Sequence, residues 1–359
     1  MKDLWGHAWA LSLKETRQII RDKSAILLGV VLPLILIFLF GYGLSFDVKA
    51  VRLGIAQDSS TAQASFYTQA LQANSTFKVS VYKSQKTALD ALRSFDLEAV
   101  LTFNDKNYAQ LLIDGVDAPR ATMVTNAVMQ TIAQASAAHQ GESPGVKIIP
   151  RIWFNERAES RWYLVPGLMV VILTMIGTML TGLVIAREWE RGTMEALIAT
   201  PVSPLALIIS KTFPYFLLGM GGWLLCLFFS LFVFDLPVRG GLWLITVSSV
   251  LYLAFCLGLG LVISALTRSQ FLSSQITLLV SFLPAMLLSG FIFDLRSAPF
   301  WANILAYALP PVYYLELLKV GFLTGGMSSL VIKNLLVLLF FAVLTLSLSI
   351  VLCQKRVRK

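Results

Sequence analysis

Six long apolar runs alternate with polar stretches along this chain, at 24–44, 164–185, 213–234, 242–266, 271–293 and 330–353. Each is about as long as the roughly 20 residues a helix needs to cross a hydrocarbon core of about 30 Å. Ahead of the first run, Trp5, Trp9, Leu13, Thr16 and Ile20 recur at helical spacing, while Lys14, Arg17 and Arg21 fall on the opposite side. The pattern predicts an amphipathic helix over 1–23 lying in a membrane interface, aromatics among headgroups and cations toward water. The apolar run that follows is too long for a signal-peptide core of about 7–15 residues. No small-residue cleavage pattern comes after it, so 24–45 reads as an uncleaved first span.

Between the first and second runs the pattern changes period. From 46 to 163 the chain is polar and mixed in charge. Strand-like stretches at Val51–Ala56, Phe77–Tyr82, Ala99–Phe103 and Ala109–Ile113 alternate with helical stretches at 61–73, 84–93 and 119–138. This predicts a small inserted α/β domain. Gly141 to Gly145 reads as a linker and Lys147 to Phe154 as a returning strand. Asn74, Ser75 and Thr76 spell a glycosylation sequon, a short and common pattern taken here as chance.

Two stretches fit neither a span nor that domain. The first, 186–211, packs Arg187, Glu188, Glu190, Arg191 and Glu195 into nine residues. Burying each Lys, Arg or Asp at a bilayer centre costs roughly 2.5–3.5 kcal/mol, so this charged stretch must lie outside the hydrocarbon. From Thr193 onward, Met194, Leu197 and Ile198 keep helical spacing until Pro201 and Pro204 stop it. The result is a short surface helix with a charged start, either a solvated loop or a docking surface. The second stretch, 294–326, is too polar for a span yet rich in Phe, Trp and Tyr, and Pro299, Pro310 and Pro311 cut it into pieces suited to the interface or a re-entrant turn. Within it Glu316 and Lys319 are spaced to pair on one helical face.

Composition narrows the class. Of 359 residues, 57% are hydrophobic and 14% charged, whereas soluble domains carry about 25% charged residues. The fold class is therefore a polytopic α-helical membrane protein, six transmembrane helices with an inserted small α/β extracytoplasmic domain. The formal charge of +9 comes from basic residues beside apolar runs, which fits the positive-inside rule and not a nucleic-acid stripe. With six spans, the N-terminal helix, the 186–211 stretch, Arg268 and the basic C-terminal residues share one side, predicting cytoplasmic termini. Cys226, Cys256 and Cys353 lie within apolar runs, and His7 and His139 are far apart, so neither a disulfide framework, a metal centre nor a catalytic constellation is expected. Met169, Met175 and Met179 on the second span either line a path or fill packing gaps.

The run E-W-E-R-G-T-M-E-A-L-I-A-T-P-V-S-P resembles the cytoplasmic coupling loop of type-2 ABC exporter permeases, the membrane subunits of drug, polysaccharide and related exporters. In that family the loop fits a cleft on a separate ATPase subunit. Carried over by position, the resemblance implies ATPase-coupling roles for Arg187, Glu188, Glu190, Arg191, Gly192, Thr193, Glu195 and Pro201. The stretch from Gly290 to Gly325 resembles the family's outer re-entrant helices, which implies a gate around Pro310, Pro311, Tyr314, Glu316 and Lys319. Asp294 stands where the family pattern has proline, and Lys319 where it has arginine. The domain over 46–163 is similar to that of the larger family members, for which a periplasmic adaptor is an expected partner.

No G-x-x-x-x-G-K-[ST] run occurs, so ATP and Mg are expected on a partner ATPase pair, and this chain binds no cofactor itself. The expected function is the permease of an ABC exporter in a bacterial inner membrane, assembled with a second copy or a related permease and surrounded by lipid. Two other classes stay open. A membrane-anchored sensor would use the 46–163 domain to bind a ligand and transport nothing. An ion-coupled carrier would place ionisable groups within its spans, and spans two to six have none in their central portions.

Overall fold

The computed structural model describes residues 2–43, 51–56, 62–94, 96–103, 109–113, 118–139, 160–199, 203–292, 295, 299–325 and 328–353. The chain divides into two compact units, Phe46–Ile152 and the remainder, Met1–Ser45 with Trp153–Lys359. The expected linker at 141–145 and the returning strand at 147–154 lie outside the described residues.

In the larger unit, α1 (Lys2–Arg21) precedes a first span built from α2 (Lys23–Ile26), a π-helical turn (Leu27–Val31) and α3 (Leu32–Gly43). The second span is α7 (Ser160–Gly182), continued by α8 (Val184–Glu190), and α9 (Thr193–Ala199) follows. Then come α10 (Pro204–Phe232), α11 (Leu242–Thr267), α12 (Gln270–Leu287), α13 (Phe300–Tyr307), α14 (Pro310–Lys319) and α15 (Ser328–Leu352). Among the described residues, six helical segments are long and apolar enough to cross a membrane.

Burial sorts them. The second span is 83% buried over its most apolar window and the fourth 61%, while the other four lie between 22% and 33%. Spans two and four therefore form the centre, and the outer faces of the rest are available to lipid. Small residues permit the central approach. A Cβ on Gly260 of α11 would collide with the Thr178 carbonyl and the Thr181 hydroxyl of α7. Likewise Gly222 of α10 abuts the Gly29 carbonyl in the first span. Such small-residue contacts let membrane helices pack closely.

Three boundaries differ from those the sequence pattern predicts. The second span begins at Ser160, four residues before the expected Leu164, so the end of the 46–163 stretch is helical. The third begins at Pro204 instead of Phe213, capped by the Ser203 hydroxyl, which accepts from the Ala206 amide at 3.2 Å. The last eight residues of the expected 186–211 loop are thus the first two turns of a span helix, because proline is at home in a helix's first turn and stops only what precedes it. The fifth ends at Leu287 instead of Phe293: Pro284 lies in its final turn, and Gly290 takes φ +82° to turn the chain.

The smaller unit is a four-stranded sheet of order β2-β1-β3-β4, with β1 Val51–Ala56, β2 Phe77–Tyr82, β3 Ala99–Phe103 and β4 Ala109–Ile113. β1 runs parallel to β2 and β3, with Val51 opposite Phe77 and Leu53 opposite Ala99, while β4 returns antiparallel to β3. Helices cover both faces. Leu53, Ile55 and Leu101 pack with Ala64 and Leu71 of α4 (Ala62–Ala73) and Val124 and Val128 of α6 (Ala118–His139). On the opposite face Ala56 and Val100 pack with Ala88 of α5 (Gln85–Arg93). Strand alternation sends successive side chains to opposite layers, so one strand serves both cores. Asn74 braces the turn before β2, where its Oδ1 accepts from the Thr76 amide and its Nδ2 donates to Thr131 Oγ1, each at 3.0 Å.

Candidate coupling site

The charged stretch after α7 is a jointed helix. At Gly182 and Leu183 the second span breaks, and α8 begins without a side-chain cap of its own. Two neighbours supply what a helix end lacks. The Ser264 hydroxyl of α11 accepts from the Ile185 and Ala186 amides at 3.0 and 2.8 Å. The Ser273 hydroxyl of α12 donates to the Gly182 carbonyl. Both serines are fully buried, so the joint is satisfied inside protein with no demand on water.

Beyond the joint, α8 is anchored by charge. Glu188 points inward and its Oε1 accepts from the Lys211 ammonium of α10 at 2.9 Å, while the same ammonium lies 2.8 Å from Glu15 Oε1 of α1. Lys211 is 3% exposed, so two carboxylates share one buried cation. The Thr193 hydroxyl donates to the other oxygen of Glu188, and Lys14 approaches its first oxygen at 4.0 Å. A buried charge stripped of its partner is costly, by about 3–5 kcal/mol, which makes such a cluster a strong fastener between elements. It joins α1, α8, α9 and α10.

Neighbouring charges tie α8 to further elements. Arg187 Nη1 donates to Asp22 Oδ2 at 2.9 Å, at the turn between α1 and the first span. Burial raises the Asp22 carboxyl, but the Arg187 hydrogen bond and charge and the Ser24 and Ala25 amides outweigh it, holding the group below its ordinary 3.8. Glu190 accepts from both the backbone and the side-chain amide of Gln270, at 2.7 and 2.5 Å. The guanidinium of Arg268 sits 4.6 Å over the Trp189 ring. Gly192 closes α8 at φ +69°, the left-handed position where a side chain is strained. Arg191, Gly192, Thr193 and Glu195 are exposed, and Met194 is turned into the protein.

The structure thus splits the candidate coupling residues into two sets. Arg187 and Glu188 face other helices, with the Thr193 hydroxyl reaching back to Glu188, and Glu190 is exposed yet tied to Gln270 of α12, while Arg191, Gly192 and Glu195 face outward; Pro201 lies outside the described residues. Glu15 is a member of the site that the sequence pattern did not single out. It lies with Ser12 and Ile19 on a third, buried stripe of α1, apart from the cationic face and from the face on which Trp9, Leu13 and Ile20 are exposed, and burial against α10 alone sets it apart.

The second candidate group lies along the other half of α7, from Tyr163 near its start, under Lys319, to Thr174 near its middle, which Tyr314 reaches through Tyr252. Pro310 and Pro311 are buried in the first turn of α14. Tyr314 is fully buried, stacked on Tyr252 at 4.2 Å, with its hydroxyl 2.7 Å from Ser249 Oγ. Tyr252 in turn meets Thr174 Oγ1 of α7 at 2.6 Å. Instead of an isolated Glu316–Lys319 surface pair, Glu316 accepts from Asn334 of α15 at 2.7 Å, and the Lys319 ammonium lies 4.8 Å over the Tyr163 ring. The π-helical turn Val320–Thr324 is held by the Gly240 amide, which donates to the Gly321 carbonyl at 2.9 Å. Cys226, Cys256 and Cys353 are free and buried, and no group of metal-ligating side chains occurs among the described residues.

Six helical segments of spanning length among the described residues, with a jointed, salt-bridged helix after the second, define a polytopic membrane protein. The chain belongs to the ABC-2 family of transporter proteins: the family model, described as "ABC-2 family transporter protein", matches residues 23–351. The chain is 34% identical over 368 residues to "Probable multidrug ABC transporter permease YbhS" of Escherichia coli (strain K12), covering 98% of both chains. It is 24% identical to "Probable multidrug ABC transporter permease YbhR" of the same organism, over 99% of this chain and 100% of that one. It is also 22% identical to "ABC transporter G family member 20" of Dictyostelium discoideum, over 82% of this chain and 43% of that one. No solved structure matches.

Proposed function

We propose that this permease subunit of an ABC exporter is driven by ATP hydrolysis on a separate pair of ATPase subunits, which carry the ATP and Mg. The observation that carries this reading is the Glu15–Lys211–Glu188 cluster, with Lys211 held at 2.8 and 2.9 Å between the two carboxylates. A helix so fastened transmits a push to α1 and α10 together. The exposed side of α8 and α9, with Arg191, Gly192 and Glu195, is the surface an ATPase grips. Arg187, Glu188, Glu190 and Thr193 pass its movement on. The chain itself performs no hydrolysis.

In this reading the α8–α9 end faces the cytoplasm with both termini, the membrane is a bacterial inner membrane, and the 46–152 unit is extracytoplasmic. There a periplasmic adaptor meets it. Two permeases, identical or related, enclose the path, and closure of the ATPases turns their shared cavity outward. Substrate then leaves past α13 and α14, where Pro310, Pro311, Tyr314, Glu316 and Lys319 form the outer gate. Two relatives are named as multidrug permeases, and the apolar spans favour an amphiphilic drug or lipid-like substrate.

The test is purification of the tagged permease from cells in mild detergent, with partner identification and an ATPase assay. Wild type is expected to bring down an ABC ATPase with substrate-stimulated hydrolysis, and Glu190→Ala/Glu195→Ala to uncouple or lose it. A wild-type preparation without any ATPase, together with unchanged behaviour of the variant, would reject the reading.

A further inference from the structure

A cavity of about 700 Å³ opens beside the coupling helix, between the C-terminal half of α1, the start of the first span and the end of α8. Among the described residues six cations line it, Lys14, Arg17, Arg21, Lys23, Arg187 and Arg191, against one lining carboxylate, Asp22, which Arg187 engages, while Lys14 lies 4.0 Å from Glu188. That volume lies within the roughly 300–1,000 Å³ of small-molecule sites, and the excess of guanidinium and ammonium groups selects phosphate.

Apolar surface lies immediately alongside. Gln270, which also lines the cavity, is followed by Phe271, 71% exposed. Lys23 and Ser24 are followed within one turn by Ile26 and Leu27, 40% and 54% exposed. On the neighbouring face of α1, Trp9, Leu13 and Ile20 are likewise exposed. A cationic cup bordered by outward-facing apolar side chains at the ends of two spans matches a ligand that is anionic at its head and hydrocarbon below. A soluble phosphate or an acidic protein surface would use the cations and leave the apolar border without a partner.

We propose that this cavity binds the headgroup of an anionic phospholipid, its phosphodiester among Arg17, Arg21 and Lys23 and its acyl chains along Ile26, Leu27 and Phe271. Basic pockets between helices at a membrane surface bind anionic headgroups by this chemistry. The site lies against α8, so a bound lipid stiffens the element that the coupling cluster fastens. Its occupancy is a property of the permease itself and stands or falls apart from ATP-driven transport.

The experiment is native mass spectrometry of the full-length permease released from nanodiscs of phosphatidylcholine mixed with phosphatidylglycerol, for wild type, R17Q/R21Q/K23Q and the charge-conserving R17K/R21K/K23R. Wild type is expected to retain phosphatidylglycerol over phosphatidylcholine, and the charge-conserving variant to do the same. The neutral variant should lose that preference by about a factor of five per cation, on the order of 100-fold for all three. Soluble glycerol phosphate and inorganic phosphate should not displace the lipid. Equal retention of the two lipids by wild type overturns the proposal, as does full retention by the neutral variant or displacement by inorganic phosphate. Unchanged lipid retention with loss of a co-purifying ATPase from the neutral variant overturns it too, and assigns the cavity to protein docking. A neutral variant that fails to fold leaves R17K/R21K/K23R and the soluble-phosphate competition to decide.

Discussion

Lys211 and Glu15 lie 196 positions apart in sequence and 2.8 Å apart in the fold. The contact closes the N-terminal helix onto the third span, and Glu188 completes it from the second. Because Lys211 has almost no access to water, the cluster behaves as one unit. Lys211→Met leaves two facing buried carboxylates and should destabilise the protein by about 3–5 kcal/mol, read as a lowered thermal midpoint in detergent. Adding Glu15→Gln and Glu188→Gln to that variant should restore part of the loss, because the uncompensated charges go with it. An unchanged midpoint for Lys211→Met would refute the buried cluster.

The joint of the second span is the next point of leverage. Ser264→Ala removes the acceptor of two buried amides, those of Ile185 and Ala186. An orphaned buried donor costs about 1–3 kcal/mol. The expected result is a lowered midpoint together with faster hydrogen exchange at the first turn of α8 and little change in α11. Exchange confined elsewhere would show that Ser264 does not hold the joint.

Close packing of the two central spans sets a third expectation. At Gly260 even one methyl meets the Thr178 carbonyl and the Thr181 hydroxyl. Overpacking of this kind costs about 1–3 kcal/mol, so Gly260→Ala should lower stability, and Gly260→Leu should prevent recovery of monodisperse protein. The control is Gly221→Ala on α10, where an added Cβ meets nothing within 4 Å.

Acid should loosen the first span's attachment before it unfolds the protein. Asp22 is held below its ordinary value of 3.8, so its bond to Arg187 contributes stability above that value and loses it as pH falls through the depressed one. The pair is partly exposed, and its contribution is about 1 kcal/mol or less. Asp22→Asn should therefore melt slightly below wild type near neutrality, with the difference shrinking as pH falls below about 3.8 and vanishing below the depressed value. A difference that grows toward acid would have the wrong sign and would exclude the assigned pairing.

The apolar runs of this chain by themselves determined that it forms membrane-crossing helices and roughly where, since hydrocarbon admits only long, internally bonded, uncharged segments. The short apolar runs Val51–Ala56, Phe77–Tyr82, Ala99–Phe103 and Ala109–Ile113 coincide with the strands among the described residues, because strand-forming runs and the turn residues that bound them act locally. Charge density marked 187–195 as unsuited to hydrocarbon for the same solvation reason, whereas 204–211 joined the third span. What the chain could not disclose is which charges face inward. Glu188 and Glu190 are two residues apart, yet one is buried on Lys211 and the other bonds Gln270, because only packing against α1 and α12 distinguishes the two sides of a short helix. Glu15 looked like one more polar residue on a basic helix until α10 covered it. The break at Gly182 was invisible for a related reason: its orphaned amides and carbonyl are satisfied by Ser264 and Ser273, some eighty to ninety positions onward. Local energetics can read solvent preference and period from sequence, whereas the pairing of buried polar groups is settled by long-range contact, and that belongs to the tertiary structure.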